Sequence, residues 1–233
     1  MTGAPSSTDI ALVIPVHGDR EALARLLGAM RAWPAAPAEI AVVAASEDDA
    51  LRMLCAGARC RLLFASANRG AQLDHGARHT AAPVIWFLHA DAEPPKNGLA
   101  AIAAAMAGGA AGGCFRFEFQ GPPTATKRLI ERLVALRVRC GGIPYGDQAL
   151  FARREAYLAA GGFAHVPLFE EVALVRGLRR QGPFRVLAEP VHVATRRWER
   201  DGWWRRSWHN RWLALCYACG VAPERLARSY QDS

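Results

Sequence analysis

Four short apolar runs before residue 91 constrain this chain most: "IALVIPV" (10–16), "EIAVVAA" (39–45), "RLLFA" (61–65) and "PVIWFLHA" (83–90). Each is rich in β-branched or aromatic residues and does not alternate with polar ones. That pattern marks strands buried on both faces. Between them lie stretches of helical periodicity. Leu23, Leu26, Leu27 and Met30 share one helix face that stops near Pro34, and further helices are expected near 47–57 and from Gly70 to Thr80. Strands alternating with helices predict parallel pairing and an open sheet with helices on both faces. Ligands bind such sheets beyond the carboxyl ends of the strands.

After residue 108 the rhythm changes. "GGCFRFEF" (112–119) alternates Phe115, Phe117 and Phe119 with Arg116 and Glu118, as a half-exposed strand does. A helix carrying Leu129, Ile130, Leu133 and Leu136 follows, then the glycine-rich "CGGIPYGDQALF". Helices are expected at about 153–160 and 170–181, and "FRVL" and "VHVA" read as two short strands. No linker composition and no internal repeat interrupts the chain. The expectation is one domain with a nucleotide-binding front half (about 8–110), an acceptor-side back half (about 111–200) and a basic, tryptophan-rich helical end (about 201–233).

The chain's 233 residues are 52% hydrophobic, enough to bury a substantial core. No segment reaches the ~18–20 uninterrupted apolar residues of a membrane span. "MTGAPSSTDI" has neither a basic start nor an apolar core, so no secretion signal is read and the cytoplasm is the expected compartment. The six cysteines are read as reduced. A net charge of +8 points to an anionic partner: nucleic acid, a phosphorylated small molecule or anionic lipid. Without zinc-finger spacing, an RNA-binding aromatic signature or a basic low-complexity tail, nucleic acid is not expected. "TRRWERDGWWRRSWHNRW" (195–212) holds five of the seven tryptophans. Trp204, Trp208, Trp212 and Leu215 share a helical face, so this helix is expected to complete the core or lie in a membrane interface.

The tip of the fourth strand carries His89, Asp91 and Glu93 on alternate positions. A carboxylate there caps a helix, pairs with an arginine or holds a hard divalent cation together with substrate phosphates. No GxxxxGK[ST] or GxGxxG follows the first strand, which excludes P-loop kinases and the common dehydrogenases. If a nucleotide binds, a metal and arginines must supply the positive charge. Glu170 and Glu171 open a helix, where they complement its dipole or place one general base in the cleft. Tyr145, Gly146, Asp147 and Gln148 form a polar, turn-prone insert. Arg196 and Arg197 are placed to meet a diphosphate.

In their order and spacing these pieces resemble the family 2 glycosyltransferases of the GT-A fold, and more narrowly a bacterial subgroup with "FLHAD", "PYGDQ" and "RRWE" segments. "IPV", "NRGAQLDHGA" (68–77) and "GGFAHVPLFEEVAL" (161–174) also fit. The resemblance implies a GT-A-type open, mostly parallel, Rossmann-like sheet. It also implies a hexosyl-type transfer, with inversion, from a nucleotide-sugar donor to a hydroxyl acceptor. Asp91 would hold the divalent cation, manganese or magnesium, with His89 in the place of the motif's first aspartate. Glu171 would be the catalytic base beside Glu170. Pro15, Asp19, Arg69, Gln72, Arg196, Arg197 and Trp198 would serve the donor, and Tyr145, Gly146, Asp147 and Gln148 would line the acceptor side.

Three positions depart from the family pattern. Ala44 stands where an aspartate usually contacts the nucleoside, which suggests a route through Glu47 or Asp48. Gly18-Asp19 replaces an Asn-Glu pair, and Glu171 replaces an aspartate. A changed donor or lost activity both fit these departures. A nucleotidyltransferase, a non-catalytic sugar-nucleotide-binding relative and a basic interaction module are the alternatives. The basic end also allows peripheral contact with the inner face of a membrane or with a lipid-linked acceptor.

Overall fold

Seven strands make one sheet in the order β3-β2-β1-β4-β6-β5-β7: β1 (Ile10–Val16), β2 (Glu39–Ala44), β3 (Arg61–Phe64), β4 (Val84–Phe87), β5 (Gly112–Phe119), β6 (Phe151–Arg153) and β7 (Phe184–Val193). The computed structural model describes residues 6–231, so part of the amino-terminal stretch read for a secretion signal lies outside the described residues. β3, β2, β1 and β4 pair in parallel, as the four apolar runs require. The turn in topology comes with β6, which runs antiparallel to both β4 and β5, while β7 returns parallel to β5.

Helices α1 (Arg20–Met30), α2 (Asp49–Gly57), α3 (Arg69–Arg78) and α4 (Gly98–Ala107) link the front strands. The back half adds α5 (Ala125–Arg139), α6 (Arg154–Ala159) and α7 (Glu171–Gln181), and the chain ends in α8 (Arg196–Asp201), α9 (Trp203–Ala218) and α10 (Pro223–Gln231). Alternate residues of each front strand enter different cores. Ile10, Leu12 and Ile14 pack with Leu23 and Leu26 of α1 and Ile102 of α4. Val13, Val43, Ile85 and Phe87 pack on the other face with Leu73 of α3, Tyr157 of α6 and Leu174 of α7. The absence of polar alternation in these strands follows from that double burial. Trp86 joins the halves, stacking on Trp33 at 5.6 Å and on Phe115 at 5.1 Å.

One expectation fails here, and one of the two alternatives for α9 falls away. "FRVL" and "VHVA" are one strand, whose pairing with β5 shifts between Phe115–Leu187 and Arg116–Pro190. Pro190 lacks an N–H for the ladder, and Arg116 donates from its side chain to the Ala188 carbonyl at the irregularity. The tryptophan face of α9 is not core either. Trp204, Trp208 and Trp212 are 50%, 74% and 61% exposed, while the helix buries Leu213 against Phe169, Val172 and Leu226.

Gln72 ties the carboxyl ends of β1 and β2 together. Its buried amide donates to the carbonyls of Val16 at 3.1 Å and Val43 at 3.2 Å. The amide thus serves a bridge inside the fold. Gln72→Leu leaves two carbonyls short of a donor and should lower stability by roughly 1–3 kcal/mol, read as a lower urea midpoint at unchanged slope.

Candidate functional site

Beyond the carboxyl end of β4 the chain makes a tight turn, with the Ala92 N–H donating to the His89 carbonyl at 3.1 Å. Glu93 then forms an antiparallel bridge with His192, through backbone bonds of 3.0 Å in both directions. That bridge fastens the Asp91 loop to β7, whose far end leads into Arg196 and Arg197. The acidic tip of one strand and the arginines after another therefore meet across a cavity of about 400 Å³.

Ten of the residues singled out from the sequence line this cavity: Arg69, His89, Asp91, Tyr145, Gly146, Asp147, Glu171, Arg196, Arg197 and Trp198. Asp91 is exposed and makes no ion pair or side-chain hydrogen bond with any described residue. It caps nothing, since Asn97 holds the N-cap position of α4. His89 sits against Gly146, where an added Cβ would fall 3.0 Å from its Nε2. Burial, with the positive charges of Arg69 and Arg197, lowers its pKa to about 3. The imidazole is therefore neutral at physiological pH.

The acidic pair at the start of α7 splits into two roles. Glu170 accepts an ion-paired hydrogen bond from Arg69. Glu171 has no such partner, and both residues keep an Oε2 that is buried without a hydrogen bond among the described residues. Burial first, then the charge of Glu170, raises the Glu171 pKa well above the usual carboxylate range. Two backbone features position the pair. Phe169, immediately before it, adopts a left-handed φ of +66°. Gly70 approaches the 161–170 loop so closely that a Cβ would lie 2.1 Å from the Ala164 carbonyl oxygen. Strain of this kind persists where packing over-determines it, and Phe169 packs on Tyr145 and Tyr217.

Five predicted residues do not line the cavity. Glu170 is held behind it by Arg69, and Gln72 lies under the ends of β1 and β2. Pro15 stays within β1. Asp19 caps α1 by accepting from the Ala22 N–H at 3.0 Å. Gln148, expected on the acceptor side, is buried and donates to the Phe115 carbonyl at 3.3 Å. The suggested nucleoside contacts are also engaged elsewhere: Glu47 pairs with Arg52 at 2.6 Å, and Asp48 caps α2 and pairs with Arg20 at 3.2 Å. Glu93 faces a separate hollow with Glu118 and His192.

The sequence reading missed the carboxyl-terminal wall. Asn210 and Leu213 of α9 and Tyr230 of α10 line the same cavity. Tyr230 accepts a 2.6 Å hydrogen bond from Arg197 and lies 4.3 Å beneath the guanidinium of buried Arg206. A tyrosine in a short polar helix gives no sequence signal for this contact. Among the described residues no three metal-ligating side chains converge. The described residues thus offer no closed metal cage; the exposed Asp91 carboxylate faces a cavity with arginines opposite, and Asp147 and Glu171 line the same cavity. A hard cation that completes its coordination with phosphate and water fits that donor set.

The sheet order and the position of the cavity define a GT-A-type α/β fold. The sequence profile of the family described as "Glycosyl transferase family 2" matches residues 11–161, and the chain belongs to that family. No curated protein sequence matches it. Among solved structures it is similar to the mannosyltransferase PcManGT from Pyrobaculum calidifontis in complex with GDP-Man and Mn2+. The TM-score is 0.64 at 17% identity, covering 95% of this chain and 68% of that one. It is also similar to glucosyl-3-phosphoglycerate synthase from Mycobacterium tuberculosis, with a TM-score of 0.59 at 13% identity over 78% of this chain and 70% of that one. S. aureus TarS 1-349 gives 0.57 at 13% identity, with 80% of this chain covered and 60% of that one, so this chain spans less than two thirds of TarS 1-349.

Because the folded state raises the Glu171 pKa from its ordinary 4.5 to about 8, this group favours folding below the lower value and loses that contribution as pH rises through the upper one. Glu171→Gln removes the charge but keeps the shape. Its melting temperature should exceed wild type by several degrees at pH 8.5, at about 2–4 °C per kcal/mol, with the gap closing toward pH 4.5. A gap independent of pH would contradict the assignment.

Proposed function

We propose that this protein is an inverting glycosyltransferase. It would move a hexosyl group from a nucleoside-diphosphate donor to an acceptor hydroxyl with the help of a divalent cation. The observation that carries the reading is Glu171, a buried carboxylate with an unpartnered oxygen, in one cavity with the open Asp91 and the arginines that follow β7. The presence of GDP-Man and Mn2+ in the PcManGT complex supports the donor and cation classes.

In this reading the donor's diphosphate lies between Asp91 and Arg196–Arg197. As the bond from the anomeric carbon to the diphosphate oxygen breaks, negative charge gathers on the leaving group and the sugar becomes oxocarbenium-like. Guanidinium groups already fixed in the cavity stabilise that charge without reorganising. Arg197 is held by Tyr230. A cation held by Asp91, manganese or magnesium, supplies further charge neutralisation when bound. Neutral His89 adds no competing positive charge and remains able to hydrogen-bond. The acceptor hydroxyl enters past Tyr145 and Asp147, attacks the face opposite the diphosphate and loses its proton to the Glu171 carboxylate. The new carbon–oxygen bond inverts the anomeric centre. A high proton affinity makes the ionised Glu171 a stronger base than an exposed carboxylate.

The six cysteines are free thiols, which supports a reducing compartment, the cytoplasm, for this chemistry. A second reading, a sugar-nucleotide-binding relative without turnover, rests on Ala44. It closes β2 without a carboxylate, and both nearby acids, Glu47 and Asp48, are committed to arginines.

A panel of nucleotide sugars with manganese or magnesium, assayed for nucleoside diphosphate release, tests the proposal. Turnover of one donor should fall at least about 100-fold in Asp91→Ala and in Glu171→Gln. Glu170→Gln should lose less. Wild-type turnover should rise with pH across neutrality as Glu171 ionises. Metal-dependent thermal stabilisation by a donor without turnover would select the second reading. Unchanged turnover in both variants would overturn Asp91 as the cation ligand and Glu171 as the base.

A further inference from the structure

Helix α9 is built inside out. It buries Arg206, at 2% exposure, and presents Trp208 at 74%. The inversion has a local cause on the inner side. Arg206 reaches the Asp201 carboxylate at 3.3 Å and stacks over Tyr230, so the buried charge is paired. Nothing comparable satisfies the outer side. Trp204, Trp208, Trp212 and Leu215 form one outward ridge, and Trp204, Trp208 and Trp212 recur at every fourth position. A large apolar side chain exposed singly needs no explanation, but a contiguous ridge does.

The ridge has a companion. α5 exposes Leu129, Leu133 and Leu136 on one stripe. These two helices carry seven of the eleven large apolar side chains exposed among the described residues. They lie side by side, with Lys127 of α5 over the Trp203 ring of α9 at 5.7 Å. Further along, Arg137 of α5 and Arg211 of α9 are close enough to repel. Charge decides what the surface fits. From Gly202 to Gly220 the sequence has no aspartate or glutamate. Arginines flank both stripes, with Arg128, Arg132 and Arg139 exposed on α5 and Arg205 and Arg211 on α9. Tryptophans on an apolar ridge bordered by arginines match an anionic lipid surface, where indole rings settle at the headgroup level and guanidinium groups meet phosphates. No helix among the described residues is long and apolar enough to cross a membrane, so the contact is peripheral.

We infer that the α5–α9 face docks the protein on an anionic bilayer, with the α9 tryptophans seated in the headgroup region. Binding requires no donor and no turnover, so it is tested apart from the catalytic reading. Full-length protein is sedimented with vesicles of phosphatidylcholine alone and of phosphatidylcholine mixed with phosphatidylglycerol, at low and high salt. Intrinsic fluorescence is followed with brominated acyl chains. Binding should appear with the anionic vesicles, weaken with salt, and bring tryptophan quenching. Trp204→Ser/Trp208→Ser/Trp212→Ser should bind at least about tenfold more weakly at an unchanged melting temperature. Arg132→Glu/Arg211→Glu, which leaves the ridge intact, should lose the preference for anionic vesicles. Three results would overturn the inference: wild type left in the supernatant, wild type and the tryptophan variant binding alike, or a solution dimer that the tryptophan variant dissociates while no vesicle binding occurs.

Discussion

One guanidinium stands beside two adjacent carboxylates, and that shortage organises the cavity. Arg69 donates to Glu170 and makes no hydrogen bond to Glu171 among the described residues. Glu170 is thereby an occupied group behind the wall. Glu171, equally buried, is left to carry its desolvation alone. An unpaired buried carboxylate is costly in a fold that has other ways to begin a helix. The left-handed Phe169 and the glycine approach at Gly70 belong to the same arrangement, because together they bring α3 and the start of α7 close enough for the pairing.

The rest of the cavity follows from sheet order. Parallel strands deliver their carboxyl ends to one edge, so the loops after β1, β2 and β4 all open there. The antiparallel β6 lets the back half return across that edge without a long crossover. β7 then runs parallel to β5 and hands its terminal arginines to the same side as Asp91. The Glu93–His192 bridge is the local clamp that holds the acidic turn to that strand.

The front strands were legible because residues buried on both faces leave an uninterrupted apolar run, here rich in β-branched and aromatic residues. Asp91, Arg197 and Glu171 were legible as polar groups at element ends, and the fold brings all three to one cavity. The backbone roles of Gln72, Gln148, Asp19 and Asp48 were not legible, for one shared reason. A polar residue at an element end can serve the backbone as readily as a substrate, and only the fold reveals which carbonyl or N–H is waiting for it. Gln72 serves two carbonyls of neighbouring strands, a pairing that depends on β1 and β2 lying side by side. Tyr230 was illegible because its role depends on a helix folding back from the end of the chain onto Arg197.

Helix α9 links the two surfaces. Its inner face gives Asn210 and Leu213 to the cavity wall, while its outer face carries the tryptophan ridge. A helix is only about 10 Å across, so a surface that receives the ridge lies within roughly one helix diameter of the cavity wall. Tilting or shifting α9 on such a surface would move Leu213, and through the packing of α10 would move Tyr230 and its hold on Arg197. If that face docks on a membrane and the cavity is the transfer site proposed above, acceptors presented at the surface would be favoured over acceptors free in solution. The reason is proximity. A hydroxyl confined to the interface spends its encounters within reach of the cavity mouth, whereas a diffusing one must find it from the bulk.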